Sequence, residues 1–91
     1  MAIFNIGFLY ENGYGVKQDY SKAMEYYLKS AEKGNSYALY NIGFLYEKGY
    51  GVEQDYSKAM EYFLKSAEKG NSVALNNISI LKKFLKWAIM Q

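Results

Sequence analysis

The chain lacks cysteine, histidine, proline and arginine altogether, and each gap closes off a class of chemistry. Without cysteine there are no disulfides, no thiol catalysis and no zinc sites with cysteine ligands. Without histidine, the common nucleophile–base pairs cannot form. No catalytic residue, metal or cofactor is therefore expected. Lysine supplies every cation, so no side chain offers the planar fork that reads bases or grips phosphates in pairs. Nucleic acid is accordingly not expected as a partner. No apolar run approaches the ~20 residues that a membrane-spanning helix needs, and the N-terminus lacks the basic-then-apolar layout of a signal peptide. With the missing cysteine, this favours a reducing, cytoplasmic setting.

What remains is unusually aromatic: 91 residues hold eleven tyrosines, five phenylalanines and one tryptophan, with eight glycines and a net charge of +2. The material is arranged as a repeat. Residues 37–72 restate residues 1–36, differing at six of 36 positions: Met1/Tyr37, Ile3/Leu39, Phe4/Tyr40, Asn12/Lys48, Lys17/Glu53 and Tyr27/Phe63. A third copy opens at Val73-Ala74-Leu75 and then dissolves. A fixed period of this length marks a stacked array of supersecondary units. The chain is thus divided into a first repeat, 1–36, a second, 37–72, and a C-terminal capping helix, 73–91, the degenerate start of a third.

Each unit reads as two helices. In the second, Ala38, Leu39, Ile42, Leu45 and Tyr46 form one apolar face at helical spacing, with Gly43 at its edge. This first helix should end near Lys48, where Gly49 and Gly51 supply left-handed conformations. Asp55 suits an N-cap, and Tyr56, Ala59, Met60, Phe63, Leu64 and Ala67 give the inner face of the second helix. Gly70 closes that helix, and Ser72 is expected to cap the next. Val16 is expected to plug the space between the first two helices. Small residues (Ala38, Gly43, Ala59, Ala67) stand where the pair crosses, as close helix approach requires. In the last stretch Ser79 replaces the glycine and Lys82 the tyrosine. One long helix to about Ile89 is therefore expected, with a broad apolar face and a narrow arc of Ser79, Lys82, Lys83 and Lys86.

These residues resemble the Sel1-like repeat, a relative of the tetratricopeptide repeat. The second unit carries its pattern at Ala38, Ile42, Gly43, Tyr46, Gly49, Gly51, Val52, Asp55, Lys58, Ala59, Tyr62, Phe63, Lys65, Ala67 and Gly70. The first carries it at Ala2, Ile6, Gly7, Tyr10, Gly13, Gly15, Val16, Asp19, Lys22, Ala23, Tyr26, Tyr27, Lys29, Ala31 and Gly34. Ser30 and Ser66 depart from it, where a second alanine is commoner. The resemblance implies an all-α fold: a right-handed α-solenoid of antiparallel helix pairs, here two full repeats plus a long C-terminal helix. It also implies a non-enzymatic adaptor or scaffold role, as in bacterial signalling and host contact or eukaryotic membrane-complex assembly. Disulfide-stapled secreted relatives are expected to be a poor comparison. Two units and a remnant are close to the minimum such arrays need, so the chain is expected to be marginally stable or a piece of a longer array.

Function is sought on the surface left once packing faces are assigned. On the first helix of each unit one outward arc remains. It carries Tyr37, Tyr40, Phe44, Glu47 and Lys48 in the second unit, and Met1, Phe4, Phe8, Glu11 and Asn12 in the first. In the remnant it carries Val73, Asn76, Ile80 and Lys83. A merely solvated arc would be charged. Aromatic rings in register, with Asn5 and Asn41 beside them, suit a peptide or partner protein on the concave face. The candidate groove is Phe4, Phe8, Tyr37, Tyr40, Asn41, Phe44, Glu47, Lys48 and Ile80. The competing reading places Phe8 and Phe44 partly in the core. Asp19 and Asp55 are read as caps, and Glu11 and Glu47 as solvated. On the terminal helix, Phe84 and Trp87 are candidate contacts. Its broad apolar face is open to a cap role, a second protomer, a missing repeat or, ranked last, an anionic membrane surface. The alternative function is a spacer fragment of a longer array that self-associates through its open ends.

Overall fold

The computed structural model describes residues 2–91 as five α-helices. They are α1 (Ala2–Asn12), α2 (Tyr20–Glu32), α3 (Ser36–Lys48), α4 (Tyr56–Glu68) and α5 (Ser72–Met90). There is no strand among the described residues. Each helix packs chiefly on its neighbours in sequence, which gives an elongated stack of 44 × 26 × 17 Å. The architecture is an α-solenoid of helix pairs, with α1, α3 and α5 holding the first-helix position of successive units.

The helix ends follow from local chemistry. Asp19 and Asp55 sit in extended backbone, and their carboxylates accept from the amides of Lys22 and Lys58 at 3.1 and 3.0 Å. Each satisfies an amide that the first helical turn leaves without a partner. At the other end of α3, Gly49 takes a left-handed φ of 70° and its amide reaches the Leu45 carbonyl. The caps of α3 and α5 correct the sequence reading. Asn35 accepts from the Ala38 amide, and Asn71 from those of Val73 and Ala74, while Ser36 and Ser72 are already the first helical residues. Both Asn and Ser make good caps, so adjacency alone did not separate them.

Two features set the spacing of the pairs. A Cβ on Gly43 would lie 2.8 Å from the Phe63 ring and 3.1 Å from the Ala59 carbonyl oxygen, so only a hydrogen allows α3 and α4 to approach this closely. Gly7 stands in the same relation to Tyr27 and Ala23. The loops are tied back by Gln18 and Gln54, whose side-chain amides donate to the carbonyls of Glu11 and Glu47, both at 2.8 Å. The Tyr20 ring stacks on Tyr50 at 5.0 Å, which joins the first unit to the loop of the second.

The core lies in two clusters. Ala23, Met24, Tyr27, Ala38, Ile42 and Leu45 fill the space between α2 and α3, and Ala59, Phe63, Ala74, Ile78 and Leu81 fill that between α4 and α5. Two expectations need correction. Val16 is exposed rather than a plug, and it is its copy Val52 that packs against the first cluster. Leu64 is exposed rather than on an inner face, because α5 covers α4 along the Ala59–Phe63 line. Ser66, the departure from alanine, is fully buried and donates its hydroxyl to the Ser36 carbonyl at 2.7 Å. That bond binds the start of α3 to the end of α4 and gives the polar atom a partner in the interior.

Candidate partner-binding wall

The outward arcs of α1, α3 and α5 lie side by side. Met1, assigned to this arc from the sequence, lies outside the described residues. Phe4 is half-buried and meets three rings: Phe8 at 6.4 Å, Tyr27 at 5.5 Å and Tyr37 at 6.1 Å. Through Tyr37 it links α1 to α3. Tyr37 itself is 57% exposed, and Phe8 is exposed beside Tyr14. Phe44 is half-buried, edge-on to Tyr50 at 6.1 Å, with the Lys48 ammonium 5.9 Å from its ring centre. Such a cation–ring pair at an exposed site is worth about 0.5–1 kcal/mol. Ile80 is exposed on α5. The candidate residues therefore divide: Phe8, Tyr37, Lys48 and Ile80 face solvent, while Phe4, Tyr40, Asn41, Phe44 and Glu47 are half-buried.

The half-buried members belong to ring pairs that lock adjacent units. In the first unit Phe4 and Tyr27 lie 5.5 Å apart at 33°; in the second Tyr40 and Phe63 lie 5.4 Å apart at 41°. Each pair carries one hydroxyl, on opposite members. The Tyr27 hydroxyl donates to Glu11 Oε1 at 2.5 Å and accepts from Asn41 Nδ2 at 3.1 Å. The Tyr40 hydroxyl accepts from Asn77 Nδ2 at 3.3 Å. In both cases an asparagine of the following unit closes on the phenol. Burial first, and then the Glu11 carboxylate, push the Tyr27 phenol far above its ordinary range, so it stays a proton donor. Glu11 is thus not simply solvated, as its sequence position suggested, because a phenol sixteen residues away reaches it. The sequence signal for this was the paired exchange of Phe4/Tyr40 with Tyr27/Phe63.

The wall is an open surface. Two depressions, of about 400 and 450 Å³, lie elsewhere: one against the second loop near Tyr46 and Lys58, the other between α2 and α4 near Leu28 and Tyr62. No group of three or more potential metal-binding carboxylates occurs among the described residues.

The Sel1 repeat family model matches residues 1–35 and again 36–71. The chain belongs to the Sel1 repeat family. Among solved structures it is similar to a Sel1 repeat protein from Oxalobacter formigenes, at 36% identity over 88% of this chain and a TM-score of 0.85. It is also similar to a protective antigen of uropathogenic Escherichia coli strains displaying an SLR fold, at 38% identity over 80% of this chain and a TM-score of 0.78. A third is Helicobacter pylori cysteine rich protein B, at 30% identity over 81% and a TM-score of 0.76. That likeness corrects one expectation: a cysteine-rich relative is a sound comparison for the fold of a Sel1 chain that has no cysteine. The chain spans 33%, 16% and 56% of these three proteins. No curated protein matches it. Sel1 repeat proteins generally mediate protein–protein interactions and are typically not enzymes. No described helix is long and apolar enough to cross a membrane.

On α5 the two candidate contacts are both exposed. Phe84 rests on Tyr56 at 5.4 Å and touches Trp87 at 6.3 Å, and Trp87 is 59% exposed. Only Ala74, Ile78 and Leu81 of this helix are buried, so most of its apolar breadth remains uncovered.

Proposed function

We propose that this Sel1 chain is a scaffold or adaptor that binds a peptide or partner protein along the wall of α1, α3 and α5, taken as the concave face. The units are 1–36 and 37–72, with 73–91 as a capping helix. The observation that carries the reading is that three successive first helices each expose an apolar or aromatic side chain, Phe8, Tyr37 and Ile80. An isolated exposed ring is ordinary, whereas apolar side chains exposed on each of three successive first helices suit a contact surface. Half-buried Phe4, Tyr40, Asn41, Phe44 and Glu47, with exposed Lys48, complete the wall. Because Tyr40 also packs on Phe63, the exposed rings are the cleaner probes.

The test is a peptide selection against the intact chain, followed by binding to a Phe8→Ala, Tyr37→Ala variant. Affinity is expected to fall by about tenfold or more, as for hot-spot aromatics, with the thermal midpoint nearly unchanged. Selected peptides that bind the variant as well as the parent would remove the wall from consideration.

A second reading, a self-associating spacer, is favoured by one observation. Trp87, Ile89 and Met90 project from the end of α5 with nothing over them. Sedimentation would then show concentration-dependent association that weakens when Phe84 and Trp87 are made polar. A monomer at all concentrations excludes it.

A further inference from the structure

The near-identity of the two units makes each a control for the other. Glu11 and Glu47 occupy the same register, and both are half-buried at the foot of the aromatic row. In the first unit Tyr27 donates its hydroxyl to Glu11. In the second, Phe63 stands where Tyr27 does, and the hydroxyl of its ring pair has moved to Tyr40, where it accepts from Asn77 Nδ2. The Glu47 carboxylate is left without a hydrogen-bond or ion-pair partner among the described residues, since the two ion pairs present are Lys29–Glu25 and Lys65–Glu61. Lys48 turns to the Phe44 ring instead. The main chain at Glu47 is meanwhile fixed by the Gln54 side chain, as Glu11 is by Gln18.

We infer that Glu47 is the specificity anchor of the wall, taking a cationic side chain, arginine or lysine, of the bound peptide. This rests on the wall being the binding surface. The Glu47 carboxylate oxygens reach solvent and hold no protein donor, so a donor brought by a ligand can bond them without displacing an internal bond. A cation is the fitting donor, because charge-assisted bonds to carboxylate are the stronger kind and a guanidinium can span both oxygens. The Phe44 ring beside it carries the Lys48 ammonium, which leaves the Glu47 carboxylate free of that neighbouring lysine. Glu11 serves no such purpose because its phenol is built in. The tyrosine-to-phenylalanine difference between the units thus converts a structural acceptor into a recognition acceptor.

The experiment uses the full chain and two capped peptides, Leu-Phe-Arg-Leu-Phe and the same sequence with glutamine for arginine, followed by NMR titration of backbone and side-chain signals. The arginine peptide is expected to bind about tenfold more tightly and to shift the Glu47 carboxyl carbon. In Glu47→Gln and in Phe63→Tyr, which supplies an internal donor as in the first unit, the arginine preference should vanish while the glutamine peptide binds as before. In Tyr27→Phe, a second arginine-dependent set of shifts should appear around Glu11 and Phe8. Tyr27→Phe and Glu47→Gln keep the test decisive even if Phe63→Tyr does not fold. Equal binding of the two peptides at the wall, or a preference that survives Glu47→Gln, overturns the anchor and leaves the wall standing. No shift on the wall with either peptide overturns both.

Discussion

Repeats one and two carry nearly the same side chains in different surroundings. Ile42 and Leu45 on α3 are 0% exposed, roofed by α2, whereas their copies Ile6 and Leu9 on α1 are 37% and 40% exposed. The same apolar face is core in one unit and surface in the other. Amphipathic pattern therefore fixes which face is apolar, while position in the stack fixes whether burial stabilises anything. This is the sense in which a solenoid's stability resides in the interfaces between its units.

The largest effect that sharpens this comparison is a pair of truncations. Leu45→Ala should cost about 2–5 kcal/mol, the range for a buried leucine that leaves a cavity. Leu9→Ala, at a half-open position, should cost roughly 1 kcal/mol or less, as an exposed site allows. Urea unfolding of both variants at matched concentration checks it. Equal costs would mean that α1 is covered in solution, which would favour the self-associating reading over an open end.

Much of this fold was legible in the sequence because its stop signals are chemically explicit. Gly13, Gly34, Gly49 and Gly70 all take positive φ, and Asp19 and Asp55 both cap, at the offsets where the period places them. What was not legible depends on contacts between elements. A helical wheel places Tyr40 and Phe44 on the rim between packing and solvent, and only the position of Phe63 and Tyr50 decides how much of each ring is covered. The loop role of Gln18 and Gln54 was missed because a side-chain bond to a carbonyl seven residues back has no sequence signature. Glu11 was misassigned for the same reason. The exchange of hydroxyls between Phe4/Tyr27 and Tyr40/Phe63 was in plain view as two of six differences, but it has no meaning until the rings are seen to touch.

A smaller effect tests whether the two ring pairs differ as their hydroxyls suggest. Tyr27→Phe removes a bond to a carboxylate and one from Asn41, and should cost about 1–3 kcal/mol at neutral pH. The alkaline limb tells this apart from simple loss of packing. The folded state holds the Tyr27 phenol above its ordinary value of 10.0, through burial and then through Glu11. Folding therefore favours the protonated form, and its contribution is complete below the unfolded value and declines as pH rises beyond it. The parent should accordingly lose stability faster than Tyr27→Phe above about pH 10, the unperturbed phenol range, and the gap between them should narrow. The other ten tyrosines and the lysines are common to both chains and cancel to first order. Phe63 has no proton to hold, so Phe63→Leu in the second unit should show a gap that does not change with pH over the same interval. A gap for Tyr27→Phe that stays constant through the alkaline limb would mean the phenol contributes only its volume, and the two ring pairs would then be equivalent despite their different hydroxyls.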